Sequence, residues 1–172
     1  MSQELDKKAL FQLTYGMFIV CAGSRDKFNG QICNTAIQVT SEPVKISICI
    51  NKNNLTHQYI EESRVFTVSI LEQDTPMEFI GRFGFRSGRD FNKFEGVNYK
   101  TGKSGAPVVL DYTLAYLEAE LKDKLEVGTH TIFVGEVIGG EVLKSGTPMT
   151  YAYYHQVKKG KVPKTAPHYQ KV

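Results

Sequence analysis

Two stretches of strict alternation limit what this chain can fold into more than anything else in it. Val44, Ile46, Ile48 and Ile50 alternate with Lys45, Ser47 and Cys49, and Ala115, Leu117, Ala119 and Leu121 alternate with Tyr116, Glu118, Glu120 and Lys122. Side chains on an extended strand point to opposite faces in turn, so a period of two predicts a β-strand with one apolar face. Residues 17–23 form a continuous apolar run that suits a buried strand, and residues 65–71 are rich in β-branched side chains. Residues 129–142 give a long strand, which Val127-Gly128 joins to the preceding one as a hairpin. Helical signals are short. One pattern surrounds Leu5, Ala9 and Leu10, and Asn53-Asn54 offers a cap for a helix over 55–63. Thr75-Pro76-Met77-Glu78 combines a capping box with proline at the first helical position. Strands outnumber helices without regular strand-helix alternation, which predicts a mainly β protein: a closed or nearly closed antiparallel barrel with short helices at its mouth.

The 172 residues fit one domain, and no internal repeat or low-complexity tract divides them. The domain is expected over 1–157, with a loose basic extension over 158–172 that carries Lys158, Lys159, Lys161, Lys164 and Lys171 together with Pro163 and Pro167. Lys plus Arg number 21 against 18 Asp plus Glu, so no global field draws the chain to nucleic acid or to an anionic membrane. No apolar run approaches the ~20 residues of a membrane span, and the first ten residues hold no signal-peptide core, so a cytoplasmic location is expected. Cys21, Cys33 and Cys49 are odd in number and embedded in apolar runs, the pattern of reduced core thiols.

Residues 79–94 place three of the five arginines beside three glycines and several phenylalanines. Arg82, Arg86 and Arg89 offer planar forks that match phosphate oxygens, and Gly81, Gly84 and Gly88 let backbone N–H groups approach a ligand. The same composition also describes a solvated basic loop. Familiar machinery is missing around it. Gly102-Lys103-Ser104 lacks a P-loop glycine at the right interval, and Gly81, Gly84 and Gly88 fail the dinucleotide fingerprint. His57, His130, His155 and His168 lie far apart with no second ligand at metal spacing, so no metal site is expected. No G-x-S-x-G elbow is present, and no Cys/His pair stands out. A barrel with an anion cradle and no acid-base engine suits a protein whose cofactor does the chemistry.

Five separated segments then carry a resemblance: residues 30–35 (GQICNT), 48–52 (ICINK), 79–86 (FIGRFGFR), 128–130 (GTH) and 153–155 (YYH). They resemble the flavin reductase-like family of FMN-binding split barrels. Within it the chain is most similar to the archaeal ferric reductase type, with flavoredoxins and the flavin domain of NADH:rubredoxin oxidoreductases nearby. The likeness spans essentially the whole chain. It implies an antiparallel split β-barrel of Greek-key type, a homodimer, one FMN per barrel, and NADH or NADPH as electron donor. It further implies that Gln31, Asn34 and Thr35 line the flavin ring, and that Asn51, Lys52, Asn54 and Thr56 hold the ribityl chain and part of the phosphate. Arg82, Phe83, Gly84, Phe85 and Arg86 would close around the phosphate and ring edge, with Arg89 and Lys93 as further phosphate ligands. Cys49 and His130 match the positions facing the nicotinamide. The implied activity is an NAD(P)H oxidoreductase that takes a hydride onto FMN and passes electrons to a ferric chelate, free flavin or rubredoxin-like protein. A flavoredoxin-like carrier with little NAD(P)H turnover is the alternative.

Overall fold

A short 3-10 helix, Lys7–Gln12, leads into β1 (Phe18–Ser24), β2 (Lys27–Cys33), β3 (Ala36–Ser41) and β4 (Val44–Asn51). Then follow α1 (Leu55–Ser63), β5 (Val65–Leu71), α2 (Met77–Gly84), the short β6 (Tyr99–Thr101) and β7 (Pro107–Val109), the long β8 (Thr113–Val127) and β9 (His130–Val142), and α3 (Tyr151–Gln156). This computed structural model describes residues 5–167 and 169. His168, Lys171 and the rest of the expected extension beyond Tyr169 lie outside the described residues.

Seven strands form one antiparallel sheet in the order β2-β1-β5-β8-β9-β4-β3, and β6 pairs with β7. Its two edge strands, β2 and β3, are consecutive in the chain and joined only by Asn34 and Thr35. The three residue steps from Cys33 to Ala36 span at most ~11 Å. The sheet must therefore curl until its edges meet at that point, and a split barrel results. Its interior is filled by Val20 and Ala22 from β1, Cys33 from β2, Ile46, Ile48 and Ile50 from β4, Phe66 and Val68 from β5, Ala119 and Leu121 from β8, and Phe133 from β9.

The unbroken apolar run of β1 has a physical reason. Val20 and Ala22 face the barrel interior, whereas Met17, Ile19 and Cys21 join a second core with Ile80, Phe83, Phe94, Val109, Met149, Tyr151 and Tyr154. A strand covered on both sides reads as continuous hydrophobicity. The outer face of β5 is covered by hydrogen bonding instead: Thr67 Oγ1 donates to Pro107 O (2.6 Å) and Ser69 Oγ to Val109 O (3.0 Å), which anchors β7.

The β8–β9 hairpin turns on Gly128 and Thr129, with Gly128 at φ +65°, where glycine carries no Cβ penalty. At Gly135 a Cβ would meet the Phe66 ring at 2.6 Å, so only glycine lets β9 pass that ring. The expected capping box at Thr75 does not form. Thr75 Oγ1 donates back to Glu72 O (2.6 Å), and Pro76 itself is the N-cap of α2.

Candidate functional site

Register brings the central pair of the site together. The two-residue turn starts β9 at His130, and β9 pairs with β4 so that His130 lies opposite Asn51. Cys49 sits two residues before Asn51 on β4, hence on the same face. Around these three, β2 supplies Asn29, Gln31 and Cys33 by the same alternation, and Asn34 follows in the link to β3. Asn53, Asn54 and Leu55 at the start of α1, and residues 83–89 at the end of α2 and beyond, complete an opening of about 560 Å³.

The lining holds four cations, Arg86, Arg89, Lys93 and Lys164, and no Asp or Glu. A cavity so lined in a chain with 18 carboxylates selects an anion. Helix α1 adds to this field, because Asn54 makes no side-chain cap bond and Asn53, Asn54 and Leu55 at its positive end line the opening. Arg89 is steadied by a bond from its guanidinium to Asn53 O (3.3 Å), and the Arg86 guanidinium lies 4.4 Å from the Phe91 ring centroid. Lys93 is buried, 4% exposed, with Nζ donating to Gly30 O (2.9 Å) and Phe83 O (3.1 Å). Burial pulls its pKa down to about 8. Those two carbonyls leave one of its three N–H donors over.

Gln31 presents the opposite need. Its Oε1 is buried with no hydrogen-bond partner among the described residues. An orphaned buried acceptor costs about 1–3 kcal/mol, which a ligand N–H recovers. On the far wall, His130 is buried and both ring nitrogens are engaged: Nδ1 with Thr129 Oγ1 (2.8 Å) and Nε2 with Thr165 O (3.1 Å). A carbonyl only accepts, so Nε2 carries the proton and Nδ1 accepts from the hydroxyl. Burial lowers the His130 pKa, with the Thr165 carbonyl opposing, and keeps the ring neutral near pH 7. Desolvation raises the pKa of half-buried Cys49, which is therefore a thiol.

Of the residues singled out in the sequence, the cavity gathers Gln31, Asn34, Cys49, Asn51, Asn54, Phe83, Gly84, Phe85, Arg86, Arg89, Lys93 and His130. Four stand behind it. Arg82 lies within α2, not in a loop, and its guanidinium donates to Glu95 O (2.5 Å) and Lys93 O (3.4 Å). Thr56 is fully buried and accepts from Asn29 Nδ2 (2.9 Å). Lys52 pairs with Glu126 (2.9 Å), and Thr35 Oγ1 donates to Asn34 Oδ1 (3.0 Å). Sequence reasoning missed Asn29, Ser87, Tyr151 and the segment from Val162 to Pro167, all of which line the opening. The expected loose extension packs back: Asn51 Nδ2 and His130 Nε2 both bond Thr165 O. No sequence pattern marked this, although the paired prolines could have.

A split barrel with an anion-selecting cavity of this kind is a flavoprotein scaffold, and the flavin reductase-like domain family matches residues 10–160; the chain belongs to that family. It is an oxidoreductase of the flavin reductase type. It is 52% identical over 162 residues to a ferric-chelate reductase (NAD(P)H) of Archaeoglobus fulgidus, covering 94% of this chain and 96% of that one. It is 53% identical over 163 residues to a high molecular weight rubredoxin of Moorella thermoacetica, covering 95% of this chain and 71% of that one. Among solved structures, an NADH:FAD oxidoreductase of Streptomyces globisporus C-1027, in complex with NAD and FAD fragments, superposes with a TM-score of 0.75 at 26% identity, covering 96% of this chain and 98% of that one. No helix among the described residues is long and apolar enough to cross a membrane.

Proposed function

We propose that the cavity binds FMN, that NADH or NADPH donates the hydride, and that the electrons leave to a small acceptor: a ferric chelate, free flavin or a rubredoxin-like protein. The observation that carries this reading is the lining, which holds four cations and no carboxylate together with an unsatisfied buried Gln31 Oε1. A phosphate-bearing, N–H-bearing flat ligand satisfies both at once. FMN, when bound, supplies the redox chemistry, as acceptor of a hydride and donor of single electrons.

The protein's own groups bind and orient. Arg86, Arg89 and the N-terminus of α1 would grip the phosphate, with the spare N–H of Lys93 aimed at the same charge. Gln31 Oε1 would accept a ring N–H, and the amides of Asn34, Asn51 and Asn54 would hold the ring and ribityl chain. Thr35, Thr56 and Arg82 would support Asn34, Asn29 and Lys93 in turn, and Lys52 pairs with Glu126 outside the lining. His130, neutral and Nε2-protonated, donates to the nicotinamide nucleotide and moves no proton, and Cys49 packs beside it. Hydride transfer asks only for close stacking with water kept out, so no acid or base is required. We further propose that the chain works as a cytoplasmic homodimer, with 1–157 as the catalytic domain and 158–172 as an appended segment.

The visible spectrum of the purified protein is the test. Flavin absorbance that bleaches on adding NADH or NADPH without oxygen is the expected result. A colourless protein that takes up no added FMN would sink the reading.

A further inference from the structure

His130, assigned above to the nicotinamide side, already has a partner within the chain. Thr165 O accepts from both His130 Nε2 (3.1 Å) and Asn51 Nδ2 (3.2 Å). The other ring nitrogen of His130 is occupied by Thr129, so no donor of the imidazole is left for a nucleotide while Thr165 is in place. The carbonyl is delivered by a tight turn, closed by Ala166 N donating to Pro163 O (3.0 Å) and bracketed by Pro163 and Pro167. Pro163, Lys164, Thr165, Ala166 and Pro167 all line the cavity.

The anchor of this turn is separate from its tip. Gly160 N donates to Tyr154 O (3.0 Å), His155 Nδ1 bonds Gly160 O (2.9 Å), and Tyr154 OH donates to Lys161 O (2.9 Å). Val162 packs on the second core beside Tyr151 and Tyr154. Beyond Val162, among the described residues, the hydrogen bonds that tie the segment across the cavity are those of Thr165 O. The chain is thus anchored up to residue 162 and reaches over the site through that carbonyl.

We propose that Pro163–Pro167 is a strap that occupies the nicotinamide side of the site and is displaced by the nucleotide, so that strap and nucleotide compete for His130. This rests on the proposed reading of that side as the nucleotide position. A ligand that binds only the strap-off state pays for the fraction of molecules in which the strap is on, and loss of the strap tightens binding by that factor. The strap therefore raises the nucleotide concentration at which reduction begins.

Two measurements on FMN-loaded protein test this. First, trypsin cleavage of the full chain at Lys164–Thr165 is followed by mass spectrometry with and without NAD+ and NADP+, which cannot reduce the flavin. Nucleotide should speed that cut by roughly fivefold or more as the strap leaves. Protection, or an unchanged rate, overturns the proposal by making the segment a closing lid or a bystander. Second, a chain ending at Val162 should bind the oxidised nucleotide roughly tenfold more tightly by calorimetry, since the His130 donor is released and the strap no longer occupies its place. A dissociation constant equal to that of the full chain, with FMN still bound, overturns the strap alone. Failure of the full chain and the shortened chain to bind nucleotide at all overturns the site reading, and the strap with it.

Discussion

Lys93 is a cavity-lining cation whose environment departs far from that of an ordinary lysine. Its ammonium is held by two carbonyls in a buried position, and burial lowers its pKa from 10.5 to about 8. The sign of the consequence follows. A lysine whose folded pKa lies below its unfolded one opposes folding while protonated, on the order of 3 kcal/mol for a gap of this size. The ligand-free protein should therefore gain stability as pH rises from about 8 towards 10.5. Anion binding should move the other way, because a phosphate beside Nζ favours the protonated form and is a dianion throughout that range. Dialysis against FMN between pH 7.5 and 9.5 should show affinity falling by roughly tenfold, and Lys93→Met should flatten the profile as well as weaken binding at neutral pH. A wild-type profile that is already flat would remove Lys93 from the phosphate. The family resemblance named Lys93 as a phosphate ligand, but no local pattern showed its burial, which β2, far away in the chain, creates together with the end of α2.

Elements were legible where one face meets a core and poorly legible where a face meets the cavity. The alternation in 44–50 and 115–121 gave β4 and β8, and α1 and β5 fall at the expected bounds. In β2, by contrast, the alternating face carries Asn29 and Gln31, which serve the opening and not the core, so the hydrophobic pattern that signals a strand is absent. The edge strand β3 leaves Ile37 and Val39 exposed, and α3 is too short and aromatic to show a helical period. The arginine cluster was read as one device, and the fold separates it into two. Arg86 and Arg89 line the cavity, whereas Arg82 pins α2 to residues 93 and 95. Two substitutions separate these jobs. Arg86→Ala should weaken FMN by about tenfold or more while leaving riboflavin, which lacks the phosphate, nearly unchanged. Arg82→Ala should lower the melting temperature and weaken FMN and riboflavin alike, since it frees the loop that carries Lys93. Equal effects of Arg86→Ala on the two ligands would contradict its placement at the phosphate.

At the scale of the whole molecule, the sheet register defines an outer face with its own composition. On that side of β3, β4, β9 and β8 the ladder aligns Ile37 with Ser47 and Val134, and Cys49 with Ile132 and Leu125. Ile37 is 59% and Leu125 61% exposed, so large apolar groups stand in water next to Cys49, a cavity-lining residue. Monomeric proteins rarely leave contiguous apolar surface of this kind uncovered. A second copy laid against it would bury both side chains and complete the cavity wall at Cys49, which links assembly to the site. Such a dimer would in turn explain why β3, exposed along most of its length, keeps Ile37 where a solvated edge strand would carry charge. Ile37→Lys combined with Leu125→Lys places charge in that interface without entering either core. Sedimentation should then report a monomer where the parent chain is a dimer, and FMN affinity should fall in parallel because the wall at Cys49 is lost. A double variant that sediments as the parent does would show that the subunits meet elsewhere, and a monomer that holds FMN as tightly as the parent would uncouple assembly from the site.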